Sequence, residues 1–381
     1  MDFLQITSIL IVLAAAFGAI NYLFFKLPSA IGILVVSLLA SLGIVVIDAL
    51  LPDMGIEDTV RTTVTGVDFS QALLEGMLGL LLFAGALHVK LSDLQKKWSL
   101  ILLMATLGVA LSTLVFGIGA HLMFGLPLLV ALVFGSLISP TYPVAVLGVL
   151  RAANLKKSLE TKIAGESLFN DGVGYVVFLV LVGLAFPSDH GHGSGISDAA
   201  ILFVQEAVGG AVIGLFLGWL VFRVMRQIDD YPLEVLLTLA LAFGGYQLSV
   251  WLHVSAPIMA VCAGLLIGDI GARHGMSAET RDYVDAFWKL IDEILNAVLF
   301  LMIGFEVFAV TFDFDVLITG VLSIGLALLA RFAAVFIPVF LLQRRQEFSN
   351  GIVPIMTWGG LKGGGFPSLL RCPCLIANGT P

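Results

Sequence analysis

The residues best placed to do chemistry stand in one run, Gly165-Glu-Ser-Leu-Phe-Asn-Asp-Gly172. It supplies two carboxylates, an amide and a hydroxyl. On a helix, Ser167 and Asp171 lie four apart and share a face, and Glu166 and Asn170 form a second pair on the adjoining face. All are oxygen donors suited to a hard cation. The run lies inside a long apolar segment, and Asp171 has no basic partner near it in sequence. Desolvation penalises a bare carboxylate, so Asp171 is expected to take up a proton or a cation, but not both at once. An ionisable residue at membrane depth is a functional site by default.

Composition places that run in lipid. Of 381 residues, 59% are hydrophobic and 12% charged, against roughly a quarter charged in an average soluble domain. Forty-one glycines suit the close helix contacts made in lipid. Apolar runs long enough for a ~30 Å core number twelve, near 4–25, 29–51, 69–89, 98–122, 127–150, 158–186, 197–225, 231–252, 255–271, 283–310, 316–342 and 350–370. They are expected to be helices, since no segment alternates with period two as a β-barrel would. The first run, preceded by Asp2 and no basic region, reads as a span and not as a cleaved signal. A net charge of −8 without basic–aromatic clusters speaks against nucleic acid. The glycines follow no nucleotide-binding pattern, and no cofactor is implied.

Most of the nineteen basic residues fall in alternate breaks: Lys26; Lys90, Lys96 and Lys97; Arg151, Lys156, Lys157 and Lys162; Arg223 and Arg226; Arg273 and Arg281; Arg344 and Arg345. The opposite breaks hold only Arg61. The first set is therefore assigned to the cytoplasm and the N-terminus to the outside. With that orientation Glu166 lies about 9 Å to the cytoplasmic side of the centre of span six, and Arg331 about 3 Å to the same side in span eleven. An arginine can reach across that difference, so Glu166–Arg331 reads as a structural ion pair whose disruption strands a buried charge. Asp285, Lys289, Asp292 and Glu293 on span ten are expected to pair near the cytoplasmic face. His190 and His192, in a glycine-rich outside loop, read as solvated residues rather than metal ligands.

Two spans carry signals for interruption. Span five contains Ile138-Ser-Pro-Thr-Tyr-Pro143, in which Pro140 and Pro143 remove helix hydrogen bonds. Span twelve contains Thr357-Trp-Gly-Gly-Leu-Lys-Gly-Gly-Gly365, where Gly360 and Gly363 weaken a regular helix and Lys362 sits among them. Broken spans at matching places in two halves point to inverted repeats around a midplane site.

At these residues the chain resembles the first cation:proton antiporter family, the NhaP and sodium–proton exchanger group, in its bacterial type. The run 165–172 resembles the family's Asn-Asp motif. Phe83-Ala-Gly-Ala-Leu-His-Val89, Phe300-Leu-Met-Ile-Gly-Phe-Glu306, Ala330-Arg331 and Trp358-Gly-Gly-Leu-Lys-Gly-Gly364 match it too. The resemblance covers about residues 4–365. It implies an all-α polytopic membrane protein with the NhaA-like antiporter fold, inverted repeats and two crossing broken helices, twelve of thirteen spans being present. Residues 1–365 would be the transmembrane region, with dimerisation and core helices interleaved.

The resemblance also implies Na+ (or Li+) exchanged for H+ by a homodimer with elevator-type movement, in a bacterial inner membrane. Asp171 would carry the sodium ion or proton, with Asn170, Ser167 and Thr141 in support and Glu166 paired with Arg331. An Asn-Asp motif implies electroneutral exchange.

Three departures stand out. Tyr142 replaces the acid of the family's Thr-Asp-Pro. Lys362 stands where many relatives have arginine, which keeps the charge but loses the planar fork. After Gly365 the chain reads Phe-Pro-Ser-Leu-Leu-Arg-Cys-Pro-Cys374 in place of the family's Ile-Ser-Leu-Ala-Leu-Ala-Leu-Ser-Leu-Pro. Codons for that stretch, read one base late, yield Phe-Pro-Ser-Leu-Leu-Arg-Cys-Pro, so 366–381 reads as a frameshifted tail. Cys372 and Cys374 are then by-products and not a redox site. Tyr142 and this tail leave a transport-inactive truncated relative open as an alternative. An intramembrane aspartyl protease is the other rival. Leu266-Ile-Gly-Asp269 partly resembles its Gly-x-Gly-Asp site, but the first glycine and a partner Asp deep in another span are missing.

Overall fold

The computed structural model describes residues 3–50, 77–91, 94, 98–141, 157–186, 196–305, 314–343 and 352–359. Tyr142, Pro143, Gly360, Lys362, Gly363, the loop holding His190 and His192, and the tail 366–381 lie outside them.

Among the described residues every regular element is a helix. We number them α1 (Phe3–Ile20, extended by a wide turn over Asn21–Phe25), α2 (Ser29–Leu50), α3 (Leu78–Leu87), α4 (Trp98–Phe124), α5 (Leu128–Ile138) and α6 (Lys157–Ala185). There follow α7 (Ile196–Met225), α8 (Tyr231–Trp251), α9 (Ala256–His274), α10 (Ala278–Phe305), α11 (Phe314–Leu342) and α12 (Ile352–Gly359). Eight of these are long and apolar enough to cross a membrane. Of the others, α3 and α5 are short and apolar, α10 is long but carries charge along one side, and α12 is eight residues long.

The helices form two compact units by contact. One comprises the first two helices and residues Ile291–Ile318. Ala14 and Ile33 pack there with Val298, Leu301 and Met302, and Ser41 donates a hydrogen bond to the Gly304 carbonyl at 3.0 Å. Asn21 closes the α1–α2 turn. Its Nδ2 donates to the Leu27 carbonyl at 2.9 Å, and its Oδ1 accepts from the Leu27 N–H at 3.2 Å.

The other unit spans Leu78–Leu290 and Thr319–Gly365 and carries the 165–172 run. Helix α9 packs against α7, α3, α8 and α6. It starts at Ser255, whose hydroxyl accepts from the Ile258 N–H at 3.4 Å, with Pro257 in its first turn. Helix α8 starts the same way on Asp230, with Pro232 following. Helices α4 and α5 form a hairpin through Gly125, at φ 68, and Pro127. They cross so closely at Gly135 that a Cβ there would lie 2.4 Å from the Thr113 carbonyl oxygen. In lipid no apolar driving force holds helices together, and such small-residue contacts supply the packing instead. Two apolar clusters flank the run: Phe116, Ala120, Ala131, Ile138, Leu326 and Ala330 in one, and Leu100, Met104, Ile163, Val335, Val339, Ile352 and Met356 in the other.

Candidate ion-binding site

Helix α5 stops at Ile138, and Ser139 and Pro140 turn the chain into Thr141, which is no longer helical. The stop follows from Pro140, whose ring excludes the preceding carbonyl and which has no N–H to give. Backbone freed at this depth must find a substitute partner. Helix α6 provides it. The Thr141 N–H donates to Asn170 Oδ1 at 3.3 Å, Asn170 Nδ2 donates to Thr141 Oγ1 at 2.8 Å, and Ser167 Oγ donates to the Thr141 carbonyl. All three residues are buried. The side chains of Asn170 and Ser167 thus stand in for the missing turn of α5.

The two helices can approach this closely because α6 carries Gly174 opposite the break. A Cβ on Gly174 would lie 2.5 Å from Cγ of Pro140. Asp171 sits at the midpoint of α6, between the residues that clamp Thr141 and the glycine that admits Pro140. It is half-buried, and among the described residues no hydrogen bond or ion pair engages its carboxyl group.

Glu166, one turn and a half earlier on α6, is in the opposite condition. It is 2% exposed and meets Arg331 of α11, itself 4% exposed, in a two-pronged ion pair. Nη1 engages Oε1, and Nη2 donates to Oε2 at 3.1 Å. Nη2 also donates to the Met356 carbonyl on α12 at 2.9 Å. The arginine therefore ties α6, α11 and α12 at one point. A guanidinium suits this because its planar fork can serve a carboxylate and a carbonyl at once. Arg331 Nε and the neighbouring Thr357 Oγ1 are buried without a partner among the described residues.

The structure therefore brings together Thr141, Ser167 and Asn170, and separately Glu166 and Arg331. Sequence reasoning missed the Met356 carbonyl, because a main-chain acceptor has no residue type. Nor did it single out Glu234 or Glu206, both of which are buried. Asp269, the acid of the protease reading, pairs with Arg273 at 2.5 Å within α9. An acid committed to an ion pair one turn away is poorly placed to activate water.

A membrane-spanning chain, helical throughout its described residues, that holds at mid-helix a carboxyl group with no partner among those residues, beside a helix broken and re-tied by its neighbour, is a carrier of the secondary-transporter class. The chain belongs to the sodium/hydrogen exchanger family: the family described as "Sodium/hydrogen exchanger, transmembrane" matches residues 9–370. It is 45% identical over 373 residues to the Na(+)/H(+) antiporter NhaP of Pseudomonas aeruginosa, an alignment that covers 95% of this chain and 86% of that protein. It is 31% identical over 363 residues to the Na(+)/H(+) antiporter NhaH of Halobacillus dabanensis, with the same two coverages, 95% and 86%. The solved structure of the sodium proton antiporter MjNhaP1 from Methanocaldococcus jannaschii superposes with a TM-score of 0.75 at 20% identity, over 99% of this chain and 87% of that one. The two share a fold. The chain is a transporter and not an enzyme.

Proposed function

We propose that this chain exchanges sodium ions for protons across a bacterial inner membrane, and that Asp171 holds the two in turn. The observation that carries this reading is the contrast within α6. Every polar side chain of the run from Glu166 to Asn170 is engaged by a neighbour, while the carboxyl group of Asp171 has no partner among the described residues. A carboxylate left without a counter-charge at this depth needs a proton or a cation, and taking one excludes the other.

Asn170, Ser167 and Thr141 support the site by holding the α5 break against α6, which leaves carbonyl oxygens near the break available to a hard cation. Glu166 and Arg331 serve as a structural pair. A single carboxyl that trades one proton for one monovalent cation gives electroneutral exchange. The interleaved units of residues 1–365 would supply the moving and fixed parts of an elevator in a homodimer, its N-terminus outside. Thr141-Tyr-Pro143 and Gly360-Leu-Lys-Gly363 would form the crossing of broken helices, with Lys362 facing carbonyl ends.

Sodium-driven proton movement in vesicles tests the reading. The wild type is expected to dissipate an imposed pH gradient on sodium addition, and Asp171→Asn to abolish this while leaving the protein folded. Exchange that survives Asp171→Asn would sink the assignment. Tyr142→Asp in the same assay separates an inactive relative from an active carrier: a silent wild type rescued by this change would make the tyrosine the cause.

A further inference from the structure

Helices α8 and α10 enclose a second acid. Glu234 is 0% exposed, and among the described residues the polar side chain that faces its carboxyl group is the hydroxyl of Thr280, with no close hydrogen bond formed to either oxygen. It lies one turn into α8, three residues after Tyr231 and four before Thr238, so the three share a face. That face meets α10 on both sides of the acid. Tyr231 stacks on Tyr283 with ring centroids 4.4 Å apart, and Trp288 Nε1 donates to Thr238 Oγ1 at 2.9 Å. Glu234 is therefore closed in between two α8–α10 contacts. From α10 the buried Thr280 faces it, and from the segment before α8 Asp229 and Asp230 act on it electrostatically with its own sign.

Among the described residues, three cations at this end are engaged elsewhere. Arg226 of the α7–α8 connection lies over the Phe222 ring, Arg273 of α9 pairs with Asp269, and Arg281 of α10 donates to the Ala272 carbonyl at 3.4 Å. Nor do the described residues supply oxygens enough for a metal ion. Asp230 accepts from the Leu233 N–H, Thr238 already bonds Val235 and Trp288, and Thr280 bonds Ser277. Among the described residues no group of three metal-ligating acids, histidines or cysteines gathers anywhere. A hard cation asks for about six oxygens, whereas a proton needs one.

We infer that Glu234 is a second proton-binding site, occupied by a proton in the packed α8–α10 contact and independent of the carboxyl group on α6. A charged carboxylate with no counter-charge is costly to bury, one neutral hydroxyl offsets little of that cost, and the two aspartates add repulsion. Release of the proton therefore has to open the contact between Tyr231–Tyr283 and Thr238–Trp288. The inference does not rest on the role proposed for Asp171.

Infrared spectroscopy of the full chain in lipid, in an Asp171→Asn background at neutral pH, reads the proton directly. The carbonyl stretch of a protonated carboxylic acid is expected, and it is expected to vanish when Glu234→Gln is added. Its persistence in the double variant, or its absence from the Asp171→Asn protein, would overturn the inference. So would loss of the band on titration with sodium or lithium, which would make the site a metal site. Thermal unfolding supplies a second readout. Glu234→Gln should exceed the Tm of the Asp171→Asn background by a margin that widens, to several degrees, from mildly acidic to mildly alkaline pH. An equal Tm difference at both pH values would count against a proton.

Discussion

Glu166 and Glu234 are both buried glutamates on long helices, and they are treated in opposite ways. Glu166 meets a guanidinium that also caps a carbonyl on a third helix. Among the described residues Glu234 meets only a neutral hydroxyl, that of Thr280, which Ser277 also engages, and the like charges of Asp229 and Asp230. The first arrangement keeps a charge in the membrane by neutralising it within the protein. The second leaves the charge unneutralised, so occupancy by a proton becomes a condition of packing. Asp171 stands nearer to Glu234 in this respect, though it is only half-buried and close to a break in the backbone.

The largest effect that can break this comparison comes from the ion pair. Arg331→Met or Glu166→Met alone is expected to destabilise by about 3–5 kcal/mol, since each strands a buried charge. The double substitution is expected to recover most of the loss. Thermal unfolding of the purified protein in detergent measures both, and two single variants as stable as the wild type would show the pair to be dispensable.

Glu234→Met should go the other way. It removes a buried acid that has no counter-charge, so stability is expected to rise by about 1–3 kcal/mol. A fall as large as that of Glu166→Met would mean that Glu234 has a partner after all, and the contrast would collapse.

The smallest effect concerns the re-tied break. Thr141→Val deletes the acceptor of the Asn170 Nδ2 bond but leaves the N–H to Oδ1 bond in place. A loss of about 1 kcal/mol is expected, together with slower exchange, because the position of α5 beside Asp171 loosens. Unchanged exchange kinetics in the vesicle assay would separate the clamp from the transport step.

Much of this was legible in the chain itself. Residues 165–172 stood out because carboxylates are rare within apolar runs, and depth counting along two antiparallel spans was enough to couple Glu166 to Arg331. The stop in α5 could be read from Pro140, since a missing N–H and a ring clash are local properties. Span edges were less legible: the tenth span was expected from about residue 283, whereas helix α10 begins at Ala278. Its first turns carry charge, so apolar composition marks a region and not the ends of a helix.

Glu234 shows where sequence reading ends. Four residues after the acidic pair Asp229-Asp230, it has the appearance of one more solvated charge at a helix start, and the helix dipole would favour it there. Only the approach of α10, with Tyr283 and Trp288 on either side, removes it from water. The same holds for the role of Asn170, whose type suggested a cation ligand and whose position makes it a replacement for a missing turn of α5.

What the sequence alone determined was helicity, membrane residence and which charges must be accounted for, because these depend on composition and on period along one chain. Which of those charges found a partner was decided by tertiary structure, because pairing depends on which helices meet. A carboxylate cannot specify from its own neighbours in sequence whether an arginine, a hydroxyl or another acid will face it.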